Sequence, residues 1–207
     1  MLDPVLRRLK DRILDPVARA LPGVSPTLLT VVGLLLGLAS AYAAWRGLFM
    51  PALALWLANR TLDGLDGAVA RMHGKVSDLG GYLDLVTDFV VYASVPAALA
   101  LRPGADPTLA AAAVLLLAAF YVNTVSWTVA AALLEKRAPF PDGPRESTSV
   151  AIPEGLISGG ETILFYSLFF LLPRQQVPLF HLMAALTALT VVQRALWAIR
   201  TFGDDMA

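Results

Sequence analysis

Six stretches of predominantly apolar residues, each closed off by proline, glycine or charge, restrict this chain more than any other feature of its sequence. They run over approximately 26–45, 51–71, 81–101, 108–133, 154–173 and 178–200. A helix rises about 1.5 Å per residue, so about twenty residues cover a hydrocarbon core ~30 Å thick. Inside that core no water is available to the backbone, and a helix satisfies its own peptide groups. The expected fold class is therefore an all-α integral membrane protein with six transmembrane helices. Hydrophobic residues make up 57% of the chain and charged residues 15%, which excludes both a soluble enzyme and a disordered chain.

Charge sets the orientation. Lys+Arg and Asp+Glu are equal at sixteen each, so no basic excess argues for nucleic acid as a partner. With the N-terminus in the cytoplasm, Arg7, Arg8, Lys10, Arg12, Arg19, Arg71, Lys75, Lys136, Arg137, Arg145, Arg194 and Arg200 fall on the inner side. Only Arg46, Arg102 and Arg174 fall on the other. That asymmetry supports an even number of spans, both termini cytoplasmic, in a cell (inner) membrane. Residues 1–25 form a juxtamembrane segment in which Leu2, Leu6, Leu9 and Ile13 recur at helical spacing, as expected of an amphipathic helix lying in the interface. Residues 26–200 form the six-helix domain and 201–207 a short tail. Gly33 and Gly37 give the first span a small-xxx-small face for close helix packing, within the chain or across a dimer.

Asp63, Asp66, Asp78, Asp84 and Asp88 crowd into 63–88, and four of them lie on apolar helices. An ionised Asp at the centre of a membrane helix costs about 2.5–3.5 kcal/mol on insertion scales, so such a group needs water, cations or both. Asp63, Asp66, Gly67 and Ala70 are three and four residues apart and share a face; Gly80, Asp84 and Asp88 step by four along the next helix. Antiparallel helices joined by a turn at Gly74 would bring four carboxylates together. With no cysteine in the chain, all-oxygen ligation selects Mg²⁺, Ca²⁺ or Mn²⁺. Four carboxylates exceed what one Mg²⁺ usually takes from protein, so two ions about 3.5–4 Å apart are expected, beside Arg71, as a site for a diphosphate.

Written out, 63–88 reads DGLDGAVARMHGKVSDLGGYLDLVTD. It matches D-x2-D-G-x2-A-R-x8-G-x3-D-x3-D at Asp63, Asp66, Gly67, Ala70, Arg71, Gly80, Asp84 and Asp88, and so resembles the CDP-alcohol phosphotransferases. Pro26 and Thr30 look like that family's P-x3-T opening. The resemblance implies a transferase that moves a phosphatidyl group from a CDP-linked donor, such as CDP-diacylglycerol, to an alcohol hydroxyl with release of CMP, in phospholipid biosynthesis. It further implies Mg²⁺ or Mn²⁺ as cofactor, with Asp63 and Asp84 on both ions, Asp66 on the first and Asp88 on the second. Asp88 would also act as general base. Gly67, Arg71, Ser77 and Thr30 would meet the CDP donor, and the enzyme would be a homodimer.

The acceptor is a small alcohol whose contacts are expected among Lys136, Arg137, Arg145, Glu154 and Glu161, at the cytoplasmic ends of spans four and five and in the polar break 135–153. Glu161 has a competing role as an internal tie to Arg194. His73 and His181 form no constellation. Two other readings compete: an aspartate-rich membrane prenyltransferase, which would release pyrophosphate, and a divalent-cation transporter. Clustering of the acids near one membrane face argues against a path through the membrane.

Overall fold

A computed structural model describes residues 14–137 and 155–203, and the regular structure among them is entirely helical. The helices are α1 (Pro26–Trp45), α2 (Phe49–Met72), α3 (Asp78–Ala100), α4 (Pro107–Arg137), α5 (Gly159–Leu171) and α6 (Gln176–Phe202), with a 3₁₀ turn at Pro173–Gln175 leading into α6. Each apolar stretch in the sequence has become one helix. Four of them, α1, α3, α4 and α6 with its preceding turn, are long and apolar enough to cross a membrane, and the chain is a membrane protein. Helix α2 has the length but carries Arg60, Asp63, Asp66 and Arg71. Helix α5 is shorter than the expected stretch 154–173 because its start is set by a capping box at Ser158 and Glu161.

Local chemistry fixes the other ends. Pro26 opens α1, where its missing N–H removes no bond. The Ser77 hydroxyl accepts from the Gly80 amide at 3.1 Å and caps α3. Asp106 accepts from the amide and hydroxyl of Thr108 at 2.8 and 2.7 Å, and those bonds hold its carboxyl below the usual range. Between α2 and α3 the chain reverses at Gly74, whose φ of +62° suits glycine. That turn sends the two carboxylate-bearing helices in opposite directions, with α1 packed against both.

Helix α1 packs on both α2 and α3, α5 lies against α2, and α4 pairs with α6. The two glycines of α1 are used inside the chain. A Cβ on Gly37 would stand 2.4 Å from Val91 Cγ2 on α3, and the Gly33 carbonyl accepts from Asn59 Nδ2 of α2 at 2.8 Å. Aromatic rings fill the centre: Trp56 stacks on Tyr166 at 4.7 Å and Phe169 meets Phe180 edge-on at 4.5 Å, all four fully buried. Leu28, Leu35, Val114, Leu115, Leu196 and Ile199 face outward, as lipid contact requires.

The amphipathic stretch from Leu2 to Ile13 lies outside the described residues. Its continuation is helical over 14–19 and docks on the bundle, with Ala18 fully buried beside Leu65, Ala68 and Val69 of α2. His73 Nε2 donates to the Ala18 carbonyl at 2.9 Å, and Lys75 Nζ donates to the carbonyls of Pro22 and Val24 at 2.7 and 3.0 Å. Both residues therefore anchor the N-terminal segment at the α2–α3 turn. Helix α6 runs past the expected boundary at 200 to Phe202.

Candidate active site

At the end of the bundle nearest the Gly74 turn, three helices wall one small cavity. Helix α1 contributes Thr30, Gly33 and Leu34, α2 contributes Asn59, Asp63 and Asp66, and α3 contributes Thr87 and Asp88. Helical spacing places Asp63 and Asp66 on one face of α2, while the packing of α1 across α2 and α3 closes the third side. Asp66 is buried, and its Oδ2 accepts a 2.6 Å hydrogen bond from Thr30 Oγ1. Asp63 and Asp88 keep about a quarter of their side-chain surface, 26% and 24%. Asp84 is half-buried one turn before Asp88 and is not among the residues lining this cavity. Asp78 is exposed in the first turn of α3, where it complements the helix dipole and stays apart from the others.

Arg60, an arginine inside the second apolar stretch, ties two of these acids, Asp63 and Asp88, together. Arg60 precedes Asp63 by one turn of α2. Its Nη2 donates to Asp88 Oδ1 at 2.7 Å, Nη1 to the Tyr92 hydroxyl at 2.8 Å and Nε to Asn59 Oδ1 at 2.8 Å, and Nη1 lies 3.7 Å from Asp63 Oδ2. The signal was available: an arginine inside an apolar span must find a partner there. Its partners, Tyr92 and Asp88, lie 32 and 28 residues away, and only the tertiary arrangement, with α1 packed on both α2 and α3, reveals them.

Of the residues expected at the CDP donor, Thr30 lies in the cavity wall. Gly67 sits under the Arg71 guanidinium, so that a Cβ there would be 3.1 Å from Nη1. Arg71 and Ser77 are exposed at the mouth-side ends of α2 and α3. The acceptor candidates are not gathered at the carboxylates: none of Lys136, Arg137 and Glu161 lines the cavity. Lys136 is exposed, and Arg137 donates to the Thr201 carbonyl at 3.3 Å and lies over the Phe202 ring, joining the ends of α4 and α6. The Glu161 carboxylate accepts from the amide and hydroxyl of Ser158 as the second half of the capping box. The partners of Arg194 are Asn123 and Ser126 rather than Glu161, with Nη1 donating to Asn123 Oδ1 at 2.8 Å. Arg145 and Glu154 lie outside the described residues.

As the side chains stand, no three His, Asp or Glu groups among the described residues are close enough to hold one metal ion. The donor chemistry nevertheless fits a hard cation. Asp63, Asp66 and Asp88 bring carboxylate oxygens to one cavity whose other polar groups are hydroxyls and an amide, with no sulfur or imidazole.

A family model described as CDP-alcohol phosphatidyltransferase matches residues 23–202. The inner membrane protein YnjF of Escherichia coli strain K12 is 35% identical over 196 residues, which cover 94% of this chain and 93% of that protein. Archaetidylinositol phosphate synthase of Pyrococcus horikoshii is 33% identical over 96 residues, 44% of this chain and 51% of the relative. In fold, the chain is similar to Mycobacterium tuberculosis phosphatidylinositol phosphate synthase with CDP-DAG bound, with a TM-score of 0.69 at 22% identity over 89% of this chain and 92% of that one. The complex of that synthase with manganese and citrate gives a TM-score of 0.68 at 21% identity over 88% and 87%. A family match through the whole helical domain agrees with the eight signature positions on α2 and α3, and this chain belongs to the CDP-alcohol phosphatidyltransferase family of membrane transferases.

Proposed function

We propose that the protein transfers the phosphatidyl group of CDP-diacylglycerol to the hydroxyl of a small alcohol and releases CMP, at the cytoplasmic ends of α2 and α3. The observation that carries this reading is the single cavity shared by Asp63, Asp66 and Asp88 beneath Thr30. Asp63, Asp66, Asp84 and Asp88 would hold two divalent cations, Mg²⁺ or Mn²⁺. When bound, such cations neutralise a diphosphate and the phosphate of a departing CMP. Arg71, which reaches over Gly67, and Ser77 orient the donor's CDP head at the mouth. Asp88 accepts the proton of the acceptor hydroxyl as it attacks the β-phosphorus. The bond from that phosphorus to the bridging oxygen breaks, and the oxygen leaves with CMP.

All six helices serve as spans in this reading. The charges of α2 lie in its second half, from Arg60 to Arg71, toward the cytoplasm. Helix α5, of thirteen residues and about 20 Å, crosses with the help of the residues flanking it. Both termini are then cytoplasmic, as the arginine and lysine distribution requires, and the enzyme works as a homodimer. The test is metal-dependent CMP release by purified protein in lipid, with CDP-diacylglycerol and a panel of small alcohols. Metal-dependent release with one alcohol establishes the reaction. Release of pyrophosphate from a prenyl donor, or metal flux into sealed vesicles without donor, would overturn it.

A further inference from the structure

One buried charged group at the site lies outside the signature. Arg60 has a side chain only 6% exposed, and each guanidinium nitrogen has a partner: Asn59 on Nε, Tyr92 and Asp63 on Nη1, Asp88 on Nη2. Its Cζ lies 5.0 Å from the centroids of both the Trp56 and the Tyr92 ring, which are tilted and 6.1 Å apart, so the two rings flank it on adjoining sides. Those rings are themselves fixed, since Trp56 stacks on Tyr166 and the Tyr166 hydroxyl donates to the Tyr92 carbonyl at 2.6 Å. Helix direction places Arg60 and Tyr92 on the bundle-interior side of Asp63 and Asp88, so the guanidinium lies behind two of the carboxylates that line the cavity and touches both. The three acceptors come from two helices and are spread around a planar fork that an ammonium cannot reproduce.

We infer that Arg60 is a positioning residue with two separable effects on this site. Its fork fixes Asp88 Oδ1, so that the carboxylate keeps one orientation toward the cavity. Its charge, held immobile between Asp63 and Asp88, keeps those two carboxylates together when no divalent cation is bound. The first effect rests on the proposed role of Asp88 as general base, and the second does not. A fixed cation against Asp63 and Asp88 also offsets part of the negative charge that a divalent ion would meet. Removing it makes the empty site less stable and the loaded site relatively more favoured.

Two variants separate charge from geometry. Arg60→Gln removes the cation, and its melting temperature in EDTA falls below wild type. Saturating Mn²⁺ narrows that gap, and Mn²⁺ binding measured without substrates tightens on the order of tenfold, which corresponds to about 1.4 kcal/mol. If Arg60 were only packing against Trp56 and Tyr92, the gap would be the same with and without Mn²⁺ and the affinity unchanged; that result overturns the charge effect. Arg60→Lys keeps the cation without the fork. Its Mn²⁺ affinity stays within about threefold of wild type, while kcat falls on the order of tenfold or more and donor KM changes little. Wild-type kcat in Arg60→Lys overturns the positioning effect. Should Arg60→Gln not be recovered folded, Arg60→Met, which removes the charge and keeps an unbranched apolar side chain against the rings, carries the Mn²⁺ comparison, and Arg60→Lys still carries the kcat test. The Mn²⁺ and melting measurements need no turnover. Wild type that releases no CMP would therefore count against the proposed reaction while leaving the charge effect to be decided.

Discussion

Thr30 Oγ1 donates a 2.6 Å hydrogen bond to Asp66 Oδ2 across 36 positions of sequence, joining α1 to the carboxylate helix inside the cavity. The same hydroxyl lies 3.1 Å from the Pro26 carbonyl, one turn back, but the shorter contact to a carboxylate takes its proton. Thr30, expected from the family resemblance to meet the donor, thus orients a carboxylate as well. Thr30→Val removes that donor with almost no change of shape. Donor KM should rise several-fold and the Mn²⁺ concentration for half-maximal activity should rise with it, since a hydrogen bond to a charged group contributes about 1.5–3 kcal/mol. Metal-dependence curves of the variant check this.

Asp88→Asn should lower CMP release by on the order of 10²–10⁴-fold, the range ascribed to a positioned general base. Donor binding should be nearly retained, because Arg60 Nη2 can still donate to the amide oxygen at the position of Asp88 Oδ1. Parallel measurement of turnover and CDP-diacylglycerol binding checks it, and wild-type turnover would remove Asp88 from the reaction.

Ser77 caps α3, and substitution can divide that role from the proposed contact with CDP. Ser77→Ala removes the α3 cap and should cost about 1 kcal/mol of stability, seen as a lower melting temperature. Ser77→Asp restores a capping acceptor to the Gly80 amide. If the Ser77 hydroxyl also meets CDP, Ser77→Asp recovers the melting temperature and keeps a raised donor KM; recovery of both would reduce Ser77 to a cap.

Glu161→Gln keeps the capping box, since glutamine serves at the same position, and removes only the charge. An acceptor contact predicts a raised acceptor KM with donor KM unchanged. An unchanged acceptor KM would leave Glu161 as the cap of α5 alone.

The close approach of α1 and α3 at Gly37 predicts that Gly37→Val lowers the melting temperature by an amount corresponding to about 1–3 kcal/mol, the usual cost of overpacking. With a Cβ 2.4 Å from Val91 Cγ2 the neighbour must shift, so Gly37→Val/Val91→Ala should recover part of the loss. Equal melting temperatures for the single and double variants would place the cost elsewhere.

Chain order alone carried the periodic part of this protein. The lengths of the apolar stretches determined six helices, because a segment of about twenty apolar residues has few alternatives in a membrane. The spacing of Asp63, Asp66, Asp84 and Asp88 determined which faces of α2 and α3 would bear carboxylates, since helical geometry is fixed before any packing occurs. The start of α5 was read too early, because its capping box at Ser158 and Glu161 is a local signal that the hydropathy of the neighbouring residues hides. Which groups meet at those faces was decided only by tertiary structure. Arg60 and Asp88, Thr30 and Asp66, and Arg194 and Asn123 are all distant in sequence, and each pair is brought together by how one helix crosses another. A lone arginine in an apolar span announces that it must have a partner. Only the tertiary packing decides which partners those are, because it holds the guanidinium against Trp56 and Tyr92 where Asn59, Tyr92 and Asp88 all come within hydrogen-bond reach.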